Sequence, residues 1–321
     1  MRVATVMLPL ALSALSLQPS TAQAALYISI IQGLGGEAEY QSQFDEQREQ
    51  ILSASTTMTD RDKVRAFHGA EATREHILAH FHTLGTSMGD EDRALIYLIG
   101  HGSFDGFEYK FNIPGPDLSA SDFKTLLDDL PGRDHALVNT SSTSGALLEA
   151  LTEAAGGAAG DEEAVNPRYI LVTATRNGNE RNATHFGRFF AEALTSDAAD
   201  LNKNSSISIQ EAFDFADRSV STYFEDAGRL ATEHPQLRGD GAARFSLARL
   251  GERQPDTEDP RLNDLQQQRR ALDAEIEELQ LRRNEMSNAD YLERLQALVL
   301  ESAQLSERIE AAQRGPADGT E

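Results

Sequence analysis

Three groups of residues have the types and spacing that chemistry needs. His101 stands between Gly100 and Gly102, directly after the apolar run Ala94-Leu95-Ile96-Tyr97-Leu98-Ile99. Imidazole exchanges a proton near neutral pH, and the flanking glycines let a ligand approach the backbone closely. Further along, Asn139-Thr140-Ser141-Ser142-Thr143-Ser144-Gly145 ends another apolar run and leads into the helical stretch Ala146 to Ala150. A hydroxyl at such a place can act as a nucleophile beside backbone N–H groups that stabilise an oxyanion. The same hydroxyls can equally be helix N-caps, and the local sequence favours the cap. Neither turn has the Gly-x-Ser-x-Gly form of an α/β-hydrolase elbow, because Ser103 has His101 two residues before it and Asp105 two after.

The third group is a run of oxygen ligands in the register of an EF-hand loop. Asp200 holds position 1, Asn202 position 3, Asn204 position 5, the apolar Ile207 position 8, Ser208 position 9 and Glu211 position 12. Ser205 stands at position 6, where glycine is usual, and Lys203 adds a cation. Two readings follow: weak Ca²⁺ binding, or a turn that only caps the next helix through Ser208.

These groups need a scaffold, and the pattern supplies one. Short apolar runs at Leu26 to Ile31, Ala94 to Ile99, Ala136 to Val138 and Tyr169 to Val172 each open into a polar turn. Between and after them lie helical stretches at Glu37 to Ser53, Glu71 to Leu84, Ser119 to Leu130, Glu180 to Leu194 and Ser208 to Phe224. Strand and helix in alternation predict an α/β fold with a mostly parallel sheet, whose ligands sit beyond the carboxyl ends of the strands. His101 and Ser142 both fall at such ends.

The flanks differ in character. Residues 1–24 combine Met1-Arg2, an uncharged apolar run to Leu17 and the small-x-small Ala22-Gln23-Ala24, the form of a cleaved signal peptide. The run is too short for a spanning helix, which needs roughly 20 residues. The reading is an exported protein, periplasmic or secreted, without an integral membrane segment after cleavage. Residues 25–253 form the main domain, with an acidic glycine-containing loop at 154–166. A linker at 254–261 carries Pro255 and Pro260. Across 262–312, Leu262, Leu265, Leu272, Ile276, Leu279 and Met286, then Tyr291, Leu295, Leu298, Leu305 and Ile309, follow a 3,4 spacing. That spacing predicts a coiled-coil-like antiparallel helical hairpin, which either packs on its own domain or self-associates. Residues 313–321 read as a disordered tail.

Composition narrows the classes. The 321 residues carry a formal charge of −23 and no cysteine. Nucleic acid is an unsuitable partner, because such affinity comes from Lys and Arg displacing counterions. Zero cysteines exclude disulfides, thiolate metal sites and any thiol nucleophile.

In combination, the His-Gly turn and a second strand ending in Ser142-Thr143-Ser144-Gly145, 41 residues beyond His101, resemble the caspase and legumain group of cysteine peptidases. The segments Ile170 to Thr175 with Glu180 and Asn182, His185 to Phe190 and His234 to Asp240 are similar to later parts of the same group. The resemblance spans roughly Leu26 to Leu250. It implies a three-layer α/β/α caspase-like sheet with His101 and Ser142 at the dyad positions and Gly102, Ser144, Gly145, Thr173, Thr175 and Glu180 around the oxyanion site and pocket. Ser142 stands where the group has its cysteine. An alcohol lacks the ready ionisation of a thiol and needs its histidine as a direct base. The implied function is therefore a noncatalytic pseudopeptidase that binds a peptide or protein and requires no cofactor. The alternative is a Ser-His hydrolase, a peptidase or esterase, on the same fold.

Overall fold

The computed structural model describes residues 24–153, 168–250, 260–283 and 286–313. The leader-like residues before 24, the acidic loop 154–166 and the tail beyond 313 lie outside them. In chain order the first half comprises β1 (Leu26–Gln32), α1 (Ala38–Ser55), β2 (Val64–Phe67), α2 (Arg74–Ser87), β3 (Arg93–Ile99), β4 (Gly102–Phe104), β5 (Tyr109–Phe111), β6 (Leu118–Ser119), α3 (Ala120–Asp129) and β7 (Asp134–Asn139). There follow α4 (Gly145–Glu153), β8 (Tyr169–Thr173), α5 (Phe186–Ala193), β9 (Ser206–Ser208), α6 (Ile209–Asp226), β10 (Gln236–Arg238), β11 (Ser246–Arg249), α7 (Pro260–Leu281) and α8 (Asn288–Gln313).

All four apolar runs become neighbouring parallel strands. The main sheet has the order β10-β8-β7-β3-β1-β2, parallel throughout except for β10, which pairs antiparallel with β8. Because side chains alternate across a strand, each buried run feeds two cores. Leu95, Tyr97 and Ile99 of β3 face one cluster with Phe44, Phe186, Phe190 and Val220, from α1, α5 and α6. Ala94, Ile96 and Leu98 face the other with Ile77, Phe81, Phe123 and Leu147, from α2, α3 and α4. The result is a helix layer on each side of the sheet, the three-layer arrangement expected.

Five features depart from the sequence reading. The edge strand β2 was unforeseen, as was the small antiparallel sheet β4-β5-β6 that follows His101. The helix expected from Glu180 starts only at Phe186, because the Glu180 carboxylate is engaged by the Arg176 N–H (2.9 Å) and holds a turn instead. The linker expected to reach residue 261 gives way to helix at Pro260, a residue that tolerates the first helical turn because its missing N–H is not needed there. Finally, β9 and β11 pair antiparallel beside the main sheet.

Helices α7 and α8 pack on each other through Leu265, Leu272 and Leu305. Arg283 lies over the Tyr291 ring at 4.6 Å near their connection, and Arg269 donates to Ser306 Oγ (2.7 Å) further along, so the pair runs antiparallel. Arg269, polar at a core-type position, also pairs with Asp273 at 3.1 Å. Among the described residues no helix is long and apolar enough to cross a membrane.

Candidate functional site

His101 and Ser142 come together at the carboxyl ends of the neighbouring strands β3 and β7, as their sequence positions require. The contact between the two turns runs through backbone. Ser142 Oγ accepts from the Gly102 N–H (3.2 Å) and donates to the Gly102 carbonyl (3.0 Å). Its single proton is thus committed to a carbonyl. A side chain at Gly102 would have its Cβ 2.7 Å from both Ser141 Oγ and the Tyr109 ring, and closer still to the Ser142 carbonyl, so only glycine permits this approach.

The His101 ring points elsewhere. Its Nε2 lies 3.2 Å from the Gly35 carbonyl, in the turn after β1. A carbonyl accepts only, so Nε2 carries the proton and Nδ1 is the basic nitrogen. Tyr40 and Phe44 of α1 hold the ring edge-on, with centroids 5.0 and 5.1 Å away. The backbone is pinned by Asn112, whose N–H donates to the His101 carbonyl (3.0 Å). Among the described residues no hydrogen bond joins the His101 ring to the Ser142 hydroxyl. The ring does have a third group to orient it, and that group is the Gly35 carbonyl. Sequence reasoning had no means of finding it, since every residue carries a carbonyl. Asp105 and Glu108 do other work: Asp105 accepts from the N–H groups of Phe107 and Glu108 (both 2.9 Å), and Glu108 accepts from Ser121 Oγ (3.2 Å).

Behind Ser142 the expected pocket residues form a buried joint. Ser144 Oγ meets Thr175 Oγ1 at 3.1 Å and accepts from the Thr175 N–H (3.1 Å), while the Gly145 N–H donates to Thr175 Oγ1 (2.9 Å). Thr173 Oγ1 donates to the Thr175 carbonyl (2.9 Å). A Cβ at Gly145 would strike the Arg176 and Asn177 backbone, so the loop after β8 lies directly on the start of α4. Deeper still, Tyr109 Oη meets Ser141 Oγ (2.8 Å) and accepts from Asn139 Nδ2 (2.9 Å), and burial pushes its phenol pKa up.

Thr143 is strained. It is a β-branched residue at φ +56°, buried, and its hydroxyl has no hydrogen-bond partner among the described residues. Its N–H donates to the Glu180 carbonyl (2.9 Å), which ties the Ser142 turn to the loop after β8. Glu180 in turn holds His234: its carboxylate accepts from the His234 N–H (3.1 Å) and lies 2.6 Å from His234 Nδ1. The neighbouring Glu233 carboxylate accepts from the N–H groups of His185 (2.8 Å) and Phe186 (3.1 Å) at the start of α5. Burial pushes Glu233 up to about 7 against those two hydrogen bonds, and the nearby Glu180 charge raises it further.

The loops around the two turns carry exposed apolar side chains as well as the exposed charges of Asp105 and Arg176. Among the described residues outside α8, four large apolar side chains are exposed, and three of them sit on loops that build this site. Leu34 adjoins Gly35, Phe107 (96% exposed) tips the β4–β5 turn after His101, and Leu230 (91% exposed) lies in the segment leading to Glu233 and His234.

The degenerate EF-hand register is folded as a loop between α5 and α6. Asp200 accepts from the N–H groups of Asn204 (3.1 Å) and Ser205 (3.0 Å). Ser208 and Glu211 form a reciprocal capping box at the start of α6.

No protein-family model matches this chain, and no curated protein matches it. Among solved structures, it is similar to caspase-1 from Spodoptera frugiperda, with 11% identity and a TM-score of 0.44 over 72% of this chain and 93% of that one. It is also similar to protein GSU0716 from Geobacter sulfurreducens, with 12% identity and a TM-score of 0.46 over 71% of this chain and 98% of that one.

Proposed function

We propose that this chain is an exported, noncatalytic member of the caspase and legumain type that binds a peptide or protein segment across the strand ends at His101 and Ser142. The carrying observation is the closed exchange of hydrogen bonds between Ser142 Oγ and the Gly102 backbone. A serine nucleophile needs its proton directed at a base. Here that proton goes to a carbonyl, and the imidazole is held by Gly35 on its Nε2 side. With no cysteine anywhere in the sequence, no thiol can substitute. What the site offers is a hydrogen-bonded floor and surrounding loops bearing Leu34, Phe107 and Leu230. Exposed aromatic and aliphatic side chains of this kind anchor apolar residues of a ligand. The helical hairpin, whose α8 exposes Leu292, Val299 and Leu300, adds self-association to the reading.

The Gly35 carbonyl also favours a second reading. It fixes the tautomer that leaves Nδ1 basic, as a Ser-His hydrolase would require after a rotation of Ser142. Two assays on the full chain separate the readings. A fluorophosphonate probe leaves Ser142 unlabelled, peptide and ester panels show no turnover, and a phage-displayed random peptide library enriches apolar sequences whose binding falls at least about tenfold in Phe107→Ala. Labelling lost in both Ser142→Ala and His101→Ala would replace the binding reading with the hydrolase. Enrichment unaffected by Phe107→Ala and Leu230→Ala would remove these side chains from it.

A further inference from the structure

Residues 227–235 join the end of α6 to the start of β10 with no helix or strand of their own. The chain leaves α6 at Gly228, with φ +60°, where the Arg229 N–H closes the helix on the Phe224 carbonyl (2.9 Å). Leu230, Ala231 and Thr232 are exposed, and the first buried side chain after them is an acid, Glu233. Among the described residues, the hydrogen bonds that fasten residues 230–235 to the rest of the fold come from Glu233 and His234. Glu233 holds the start of α5, and His234 holds Glu180, whose carbonyl accepts from Thr143 in the Ser142 turn.

We infer that residues 227–235 form a strap that a neutral Glu233 keeps fastened and an ionised Glu233 releases, so that rising pH frees Leu230 and His234 from the strand-end site. A buried anchor made of a titratable group can be undone by titrating it, because the charged form gains from water what the fold denies it.

The groups around the carboxyl set the sense of the switch. Arg188 and His185 face it from α5, Glu180 from the loop after β8, and His234 follows it on the strap itself. Tyr223 of α6 lies against the His185 ring at 4.1 Å, Arg229 bears on that same ring, and Asp217 of α6 faces His234. Arg188 and the two backbone N–H groups favour the ionised form, but Arg188 is exposed and lies 4.4 Å over the Phe189 ring. Burial and the Glu180 charge oppose ionisation and prevail, which holds the carboxyl up at about 7 against 4.5 in water. The fastened state is therefore favoured in full below 4.5 and loses that advantage as pH rises through about 7. Between about pH 5 and about pH 8 the released fraction grows about 70-fold. His185, pushed down by burial, and Asp217, pushed up by it, also titrate, but a Glu233 variant keeps both.

Hydrogen exchange on the full chain, corrected for the intrinsic effect of pH, tests this at the His234 N–H, whose acceptor is Glu180 and not the anchor itself. From about pH 5 to about pH 8 its protection should fall about 70-fold in the parent relative to Glu233→Gln, while at each pH it stays below the protection of the β3 amides. Arg188→Gln, at an exposed position, removes the one charge that helps the carboxylate and should enlarge the fall at about pH 8. Equal pH dependence in the parent and a folded Glu233→Gln overturns the inference, and so does a fall that Arg188→Gln leaves unchanged or reduces. It is also overturned if the His234 N–H exchanges only as fast as the β3 amides, since the strap would then open only with the whole fold. The inference takes from the binding reading above only the place of Leu230 beside the site; exchange reads the strap directly, so either can fail while the other stands.

Discussion

Replacing Glu233 by glutamine should flatten the response of stability to pH on the alkaline side. The carboxyl is 2% exposed, and burial lifts it from 4.5 to about 7. A group whose folded pKa lies above its unfolded value contributes stability that is complete below the unfolded value and is lost as pH rises through the folded one. The rise from 4.5 to about 7, at about 1.4 kcal/mol for each pK unit, amounts to roughly 3.5 kcal/mol once the group is fully ionised. From about pH 5 to about pH 8 the part lost is about 2–3 kcal/mol. Glutamine keeps one acceptor oxygen for the His185 or the Phe186 N–H and turns its NH₂ toward the other, a cost that does not vary with pH, and it does not ionise. Urea melts of both proteins across that range should show the stability of Glu233→Gln relative to the parent growing by that amount. His80 and His135, which burial pushes down to about 4, act in the opposite sense: their contribution is present above 6.5 and lost on acidification. Both proteins share those histidines, so their effect cancels in the difference. A difference that stays level from about pH 5 to about pH 8 would refute the reasoning, because it would mean that Glu233 ionises in the fold as easily as in water.

Two further outcomes follow from the packing. Gly102→Ala places a Cβ against the Ser142 carbonyl, Ser141 Oγ and the Tyr109 ring, and should cost about 2–3 kcal/mol in a denaturant melt. Gly100→Ala, whose nearest atoms are the Phe111 ring at 3.1 Å and Gly33 Cα at 3.3 Å, should cost less, and equal costs would show that the crowding at Gly102 is relieved by movement. Light scattering after size exclusion should give a mass above the 35.1 kDa monomer for the full chain, reduced by Leu292→Glu with Val299→Glu; a monomer before substitution would remove self-association.

The strands most visible in the sequence are those with the least freedom to look otherwise. β1, β3, β7 and β8 are covered on both faces, so they must be continuous apolar runs, and they read as such. β2 escaped notice because Val64-Arg65-Ala66-Phe67 is a short edge with only Phe67 fully buried. The β4-β5-β6 sheet escaped for a different reason: its strands have two or three residues each and depend on Tyr109 and Phe111 packing beneath them. At the site, His101 and Ser142 were legible from residue type and strand-end position. Their actual bonding was not, because the groups that hold them are the backbone of Gly35 and Gly102.

The pairing of β11 with β9 has a consequence for how the chain is made. Arg249 donates through its backbone N–H to Thr57 Oγ1 (3.0 Å) across 192 residues of sequence, and Ala248 and Leu247 sit in the same core as Leu26 and Ile28. Strand β1 and helix α1 therefore cannot complete their packing until residue 249 has been made. Contacts this distant in sequence are slow to close. During synthesis the nascent sheet keeps one face open for most of its length, and the final closure comes from the last strand before the helical hairpin.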